Sequence, residues 1–199
     1  PIWIRFARAM GPFMAGDAKM VAEHAGDPPP KKQVDIAASH GLFGIAFGQR
    51  FPQCHVTGLD WGAVVAVARE NPAAAEMADR YSTIVGNAFE VPWGEGYDLV
   101  LLPNFLHHFD PPTCETLLRK VHAALADGGR AVTLEFVPND DRVTPPDSAG
   151  FSLVMLAGTP SGDAYTFAEL ERMFANAGFS RSTMHQLPPT IQQVVISEK

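Results

Sequence analysis

Between residues 33 and 137 short apolar runs alternate with longer amphipathic ones, and that alternation limits the fold more than any other feature of the chain. Gln33–Ala37, His55–Asp60, Tyr81–Val85, Tyr97–Leu102 and Ala131–Val137 read as strands. Gly41–Phe51, Ala63–Glu70 and 113–126 read as helices; in the last, Cys114, Leu117, Leu118, Val121 and Leu125 fall at i, i+3, i+4, i+7 and i+11. Strands separated by helices need crossovers, so the sheet is parallel and covered on both faces. The tail changes pattern. Thr166-Phe-Ala-Glu169 fits a capping box ahead of a helix Phe167–Ala177, which Gly178 ends. Strands Phe179–Gln186 and Gln192–Ser197 follow, split by Leu187-Pro188-Pro189, and a closing hairpin adds an antiparallel strand. The expected fold is α/β: a doubly wound seven-stranded sheet, mostly parallel with one antiparallel strand.

The flanks are less regular. Trp3, Phe6, Ala7, Met10, Phe13, Met14 and Val21 recur at helical spacing, but Gly11-Pro12 predicts a break into two helical pieces with a kink. Asp27-Pro28-Pro29-Pro30 reads as a stiff linker. Residues 1–30 are therefore expected to be a helical connector or lid, and 31–199 the ligand-binding domain. The chain opens Pro1-Ile2-Trp3, already inside an amphipathic pattern and without an initiator Met, which suggests a missing upstream part. Asp127-Gly128-Gly129 is expected to end the 113–126 helix. Residues 138–165, rich in Pro, Asp and Gly around the island Phe151–Leu156, read as a lid or pocket segment.

Composition excludes several functions. Fifteen Lys and Arg against 22 Asp and Glu leave a net charge of −7, without the basic footprint of a nucleic-acid binder. No apolar run is long enough to span a bilayer, so no membrane partner is expected. Cys54 and Cys114 form no C-x-x-C, which argues against a zinc or redox dithiol site and for a reducing, cytoplasmic setting.

The first strand runs into Asp35-Ile36-Ala37-Ala38-Ser39-His40-Gly41-Leu42-Phe43-Gly44. This aligns with a dinucleotide fingerprint as Ser39-x-Gly41-x-x-Gly44, or with a glycine loop D-x-G-x-G-x-G as Asp35-x-Ala37-x-Ser39-x-Gly41. Small residues there let backbone approach a ligand, although a plain strand–helix turn has the same composition. Asp60 ends the second strand 19 residues after Gly41, where an acid can accept both ribose hydroxyls. Trp61 is placed to stack on an adenine or to pack. Asn87, Ala88 and Phe89 close the third strand with an amide beside an aromatic ring, which suits either an adenine or an ordinary turn. Asp35 separates the candidate nucleosides: a carboxylate repels a pyrophosphate and attracts the amino group of S-adenosylmethionine.

The fourth strand leads into Asn104, His107 and His108. A His near neutral pKa can deprotonate a hydroxyl, while the competing reading has the pair only capping the sheet. Adjacent histidines in a strand point to opposite faces, which disfavours a metal. His24, His40, His55, His122 and His185 look solitary, with surface placement expected for His40. Met10, Phe13 and Met14, with Phe151, Met155 and Leu156, either wall an apolar acceptor pocket or belong to the core.

Leu106-His107-His108-Phe109-x-x-x-x-Cys114, followed by Leu117-Leu118, resembles the L-H-D-W…C…L-L segment of class I S-adenosylmethionine-dependent methyltransferases. The likeness is to bacterial relatives of the acetylserotonin, hydroxyindole and plant-type small-molecule O-methyltransferases, and it begins at Trp3-x-x-Phe6-Ala7-Arg8-Ala9-Met10. The resemblance implies a Rossmann-like fold and methyl transfer to a hydroxyl of a small, aromatic acceptor, with S-adenosylhomocysteine as product. It implies His107 as general base and Asp35, Ala37, Ser39, Gly41, Asp60, Trp61, Asn87, Ala88, Phe89 and Asn104 around the cofactor. Met10, Phe13, Met14, His108, Phe151 and Met155 would face the acceptor. The family's homodimer forms through an N-terminal domain with no counterpart here. Ala37 and Ser39 stand where the family has glycines and should crowd the methionine end; Asn87 and His108 each stand where Asp is usual. The rival readings are a non-catalytic binding module and, further off, a nicotinamide-dependent oxidoreductase or a nucleic-acid methyltransferase.

Overall fold

The computed structural model describes residues 2–74 and 76–199, so Pro1 of the expected connector lies outside it. The chain forms two compact units that divide between Leu101 and Leu102. The first holds α1 (Ile2–His24), β1 (Lys32–Ile36), α2 (Leu42–Arg50), β2 (His55–Asp60), α3 (Gly62–Ala74), β3 (Tyr81–Val85) and most of β4 (Tyr97–Pro103). The second holds a 3-10 turn (Leu106–His108), α4 (Pro111–Ala124), β5 (Leu125–Glu135), α5 (Pro146–Gly158), α6 (Phe167–Asn176), β6 (Arg181–Gln186) and β7 (Gln193–Glu198).

The strand order is β3-β2-β1-β4-β5-β7-β6. β1 pairs in parallel with β2 and β4, and β2 with β3. β7 runs antiparallel to both β5 and β6, so it is the one reversed strand. This is the expected doubly wound α/β sheet, and its order reverses beside β1, where such sheets bind ligands at their carboxyl ends.

Helix α1 differs from expectation: it is one helix through Pro12, not two pieces. An internal proline removes a hydrogen bond and costs about 3 kcal/mol. Burial offsets that cost, since Ala7, Ala18, Val21 and Ala22 are all buried and Ala7 packs with Val64 and Val67 of α3. The inward line is thus made of small residues, while Trp3, Phe6 and Phe13 of the expected stripe face outward.

In the second unit Asp110 caps α4 by accepting from the Thr113 N–H at 2.9 Å, with Pro111 in the first turn. The helix ends at Ala124 rather than 126, because Leu125 turns extended and buries its side chain. Asp127-Gly128-Gly129 therefore lies within the span of β5 and is not the helix cap. Residues 146–158 of the expected irregular segment form a helix, α5. The Thr166/Glu169 capping box of α6 is present in both directions.

Candidate active site

Each unit carries one set of the candidate side chains. In the first, β1 runs into the turn 37–41, where alternate residues take left-handed backbone: Ala37 at φ 55°, Ser39 at 53° and Gly41 at 76°. These are the three positions aligned above with loop glycines. Left-handed backbone costs an L-residue roughly 1–2 kcal/mol, so Ala37 and Ser39 hold a glycine path at some strain. Hydrogen bonds fix that path. Ala38 N–H donates to the Leu59 carbonyl (3.0 Å), Ser39 N–H to Asp60 Oδ2 (2.8 Å) and Gly41 N–H to the Ala38 carbonyl (2.6 Å).

Two side chains of β1 grip the first turn of α2. Gly44 N–H donates to Asp35 Oδ2 (3.1 Å), while Gln33 Nε2 donates to the Gly44 carbonyl (2.7 Å). A Cβ on Gly44 would lie 2.9 Å from Val56 and 3.3 Å from Asp35 Oδ2, so glycine is required for this approach. Asp35 is fully buried, and burial pushes its carboxyl up to about 7, against the Gly44 hydrogen bond and with Asp60 adding to the rise. Asp60 is also raised by burial, opposed by hydrogen bonds from Ser39 and Trp61. Its Oδ1 accepts from Trp61 N–H at 2.7 Å.

His40 is not the surface residue expected: it is buried, and its Nδ1 accepts from Leu42 N–H at 3.1 Å, satisfying a free donor at the start of α2. Burial lowers its pKa to about 4, so the ring is neutral at pH 7. Trp61 is half exposed, edge-on to Trp3 with centroids 6.2 Å apart. Asn87 closes its own turn, with Oδ1 accepting from Phe89 N–H and Nδ2 donating to Glu90, each at 3.0 Å. Ala88 is buried, its carbonyl accepting from Trp93 Nε1 at 3.0 Å. Met10 and Met14 are half-buried, whereas Phe13 is 75% exposed.

In the second unit His107 and His108 sit in the 3-10 turn after β4 and not in the strand, so the opposite-faces argument does not apply; their ring centroids are 4.4 Å apart. Glu135, the last residue of β5, organises this turn. Its Oε1 accepts from Phe105 N–H (3.1 Å) and Leu106 N–H (2.9 Å), and its Oε2 lies 2.5 Å from His107 Nδ1. Both partners are almost fully buried. A carboxylate that close fixes the Nδ1–H tautomer and leaves Nε2 as the basic nitrogen. Phe151 of α5 meets the His107 ring edge-on at 4.9 Å and stacks on Phe136 at 4.0 Å. Met155 is buried on the same helix. Burial, with His107 close by, brings His108 down to about 4 against the pull of Glu135, so His108 is neutral. Asn104, at φ 53°, donates its N–H to the Leu134 carbonyl (2.8 Å), and its Oδ1 accepts from Gln192. Burial pushes the Cys114 thiol up to about 12, so it is no nucleophile. Among the described residues no group of three or more His, Cys, Asp or Glu is placed to hold a metal, and no helix is long and apolar enough to cross a membrane.

Sequence reading missed Glu135, Gln33 and Phe136. The signal for Glu135 was present: it is the one charged residue in the apolar run Ala131–Val137.

A family profile for the O-methyltransferase domain matches residues 30–180, and the chain belongs to that family. It is 33% identical over 150 residues to 3-hydroxy-5-methyl-1-naphthoate 3-O-methyltransferase of Streptomyces sahachiroi, covering 75% of this chain and 43% of that protein. A crystal structure of a candidate O-methyltransferase from Nostoc punctiforme superposes with a TM-score of 0.98 at 57% identity, covering all of this chain and 60% of that one. The structure of PigF with SAH matches with a TM-score of 0.86 at 25% identity, over 98% of this chain and 58% of that one. The chain thus spans about half the length of the curated relatives it matches.

Proposed function

We propose that the protein transfers a methyl group from S-adenosylmethionine to a hydroxyl of a small aromatic molecule. The observation that carries this reading is the buried His107–Glu135 pair: an imidazole whose Nδ1 is held by a carboxylate and whose Nε2 is left free of that contact. The residues of the first unit suit the donor. The turn 37–41 keeps the backbone path of a glycine loop, Asp35 has a buried carboxylate oxygen without a partner among the described residues, and Asp60 ends β2. Asp60 would hold the ribose, Trp61, Asn87, Ala88 and Phe89 the adenine, and Asp35 with the backbone of 37–41 the amino-acid end; Asn104 would lie near the cofactor.

S-adenosylmethionine supplies a methyl group activated by its sulfonium. His107 Nε2 would take the acceptor's hydroxyl proton as the methyl group passes from the donor sulfur to the acceptor oxygen, and Glu135 would steady the imidazolium. Such proton removal contributes typically 10²–10⁴-fold in rate. Phe151, Met155 and neutral His108 would face the acceptor, with Met10, Phe13 and Met14 completing its apolar contacts. The naphthoate substrate named for the Streptomyces sahachiroi relative supports an aromatic acceptor. Residues 1–30 are read as a connector and 31–199 as the catalytic domain. The cytoplasmic setting rests on two free, buried cysteines. Homodimer formation, which the family resemblance ties to an N-terminal domain, is checked by light scattering on a chain that carries that domain.

Calorimetric titration with S-adenosylmethionine and S-adenosylhomocysteine, with NAD as control, tests the donor. Micromolar binding of the first two alone is expected, followed by methylation of one or more of a panel of hydroxy-arenes. Binding of NAD instead, or of none, overturns the reading.

A further inference from the structure

Tyr81 stands on β3, away from the turn 37–41, yet its hydroxyl reaches underneath it. The sheet register gives the geometry. Asp35 pairs with Gly58, and Gly58 with Thr83, while Tyr81 lies two residues before Thr83 and opposite Val56. Paired residues, and residues two apart, share a sheet face. Asp35, the bare position at Gly58 and Tyr81 are therefore on one face, the face covered by α2, whose Gly44 touches both Asp35 and Val56.

The phenol fills the gap that Gly58 leaves. A Cβ at Gly58 would lie 2.5 Å from Tyr81 Oη and 3.4 Å from the Ala38 methyl; a Cβ at Gly41 would lie 2.8 Å from the same oxygen. Adjacent strands are about 4.8 Å apart, and Asp35 is the β1 residue paired with Gly58, so the phenol oxygen fills the place beside the Asp35 side chain. Tyr81 Oη and Asp35 Oδ1 are both buried, and neither has a hydrogen-bond partner among the described residues. A buried acid and a buried phenol left apart would each bear the full cost of desolvation.

We propose that Tyr81 is a positioning residue of the donor site: its hydroxyl donates to the Asp35 carboxylate through one bridging water, and so holds the turn 37–41. The inference rests on the reading that this turn takes S-adenosylmethionine. It also assigns a second reason for glycine at 41 and 58, which is space for the phenol. The titratable groups on the elements around Asp35 are these. β1 brings Lys32 at its exposed start, β2 brings Asp60 and, at its far exposed end, His55, β3 brings Tyr81 and the turn brings His40. α2 brings Arg50 at its far, exposed end, β4 brings Tyr97, which donates to the Trp93 carbonyl, and Asp98 at the opposite strand end, and on α3 Arg69 is engaged by Thr83 and Glu70 by Arg8. Burial, with Asp35 and Asp60 adding to it, holds the phenol protonated, as a donor must be.

Tyr81→Phe keeps the ring and deletes the hydroxyl. With S-adenosylhomocysteine titrated into the 199-residue chain from pH 5.5 to 9, the variant is expected to bind about five- to tenfold more weakly. The acid limb of its affinity profile should move to higher pH, because the carboxylate has lost a donor. Wild-type affinity and an unmoved profile in a folded variant overturn the proposal. If the wild-type chain binds no S-adenosylhomocysteine, the donor reading fails by itself. The pair is then judged by melting temperature in the cycle Tyr81→Phe, Asp35→Asn and both together: effects that depart from additivity uphold the contact, and additive effects overturn it.

Discussion

The turn 37–41, proposed for the donor, and the turn 105–108, proposed for the base, solve opposite problems with different materials. At 37–41 the backbone does most of the work: three alternate left-handed residues are fixed by N–H groups, and the acids beneath them are raised by burial. At 105–108 a side chain does it, as Glu135 satisfies two backbone donors and His107 at once. The first arrangement suits a cationic ligand, because a carboxylate short of partners gains when a positive charge arrives. The second suits proton transfer, because the base is held in one tautomer before any ligand binds.

The sharpest way to break this contrast is at Glu135. In Glu135→Gln the amide oxygen keeps the Phe105 and Leu106 N–H groups and the NH2 faces His107 Nδ1, which must then accept; the ring proton moves to Nε2, and Nε2 no longer acts as base. Turnover is expected to fall about 10²–10⁴-fold, as in His107→Ala, with S-adenosylhomocysteine affinity within about twofold of wild type. Steady-state kinetics beside calorimetry read both; an equal loss of affinity would show that the two turns are not separate in function.

Asp35 gives the next largest effect. Burial holds its folded pKa at about 7, well above the ordinary carboxylate value of 3.8, so the folded state binds the extra proton. Its stabilising contribution is full below about pH 4 and is lost as pH rises toward 7. Asp35→Asn removes that loss, so the stability gap in its favour should widen across this window by up to roughly 4 kcal/mol. Urea unfolding at several pH values measures it, and a gap that stays constant with pH would place the Asp35 pKa near its unfolded value.

Donor binding should report the same proton. If the ligand's amino group ionises Asp35, affinity rises with pH through about 7 and binding releases up to one proton near pH 6–7. Calorimetry in two buffers of different ionisation enthalpy counts it. The smallest effect is at the strained residues: Ala37→Gly and Ser39→Gly should each stabilise the fold by about 0.5–1 kcal/mol, since glycine takes positive φ without strain. Lower melting temperatures in both would mean that unfolded-chain entropy outweighs the strain.

Much of this was readable in the sequence because the physics is local. Strand runs, the α4 stripe and the α6 capping box need only near neighbours, and Asp60 falls at a predictable strand end. The misses have non-local causes. α5 has apolar residues around its whole circumference, so no 3.6-residue period showed through the Pro-rich flanks. The break at Pro12 was overruled by packing of α1 on α3. Glu135 stands 28 residues from His107, and only strand pairing brings a β5 carboxylate to the β4 turn. Tyr81 read as an ordinary aromatic strand residue, because its reach over Gly58 depends on register.

Glu135 binds the peptide groups of the turn as well as the base it orients, so base and turn shift together or not at all. Phe151 meets His107 through an aromatic edge and Phe136 through a ring face, contacts that tolerate substitution far better than a buried hydrogen bond to a carboxylate. On the proposed reading, change on α5 would therefore retune which aromatic molecule is taken while leaving proton removal intact, so acceptor preference would be free to diverge on that helix before the chemistry had to be rebuilt.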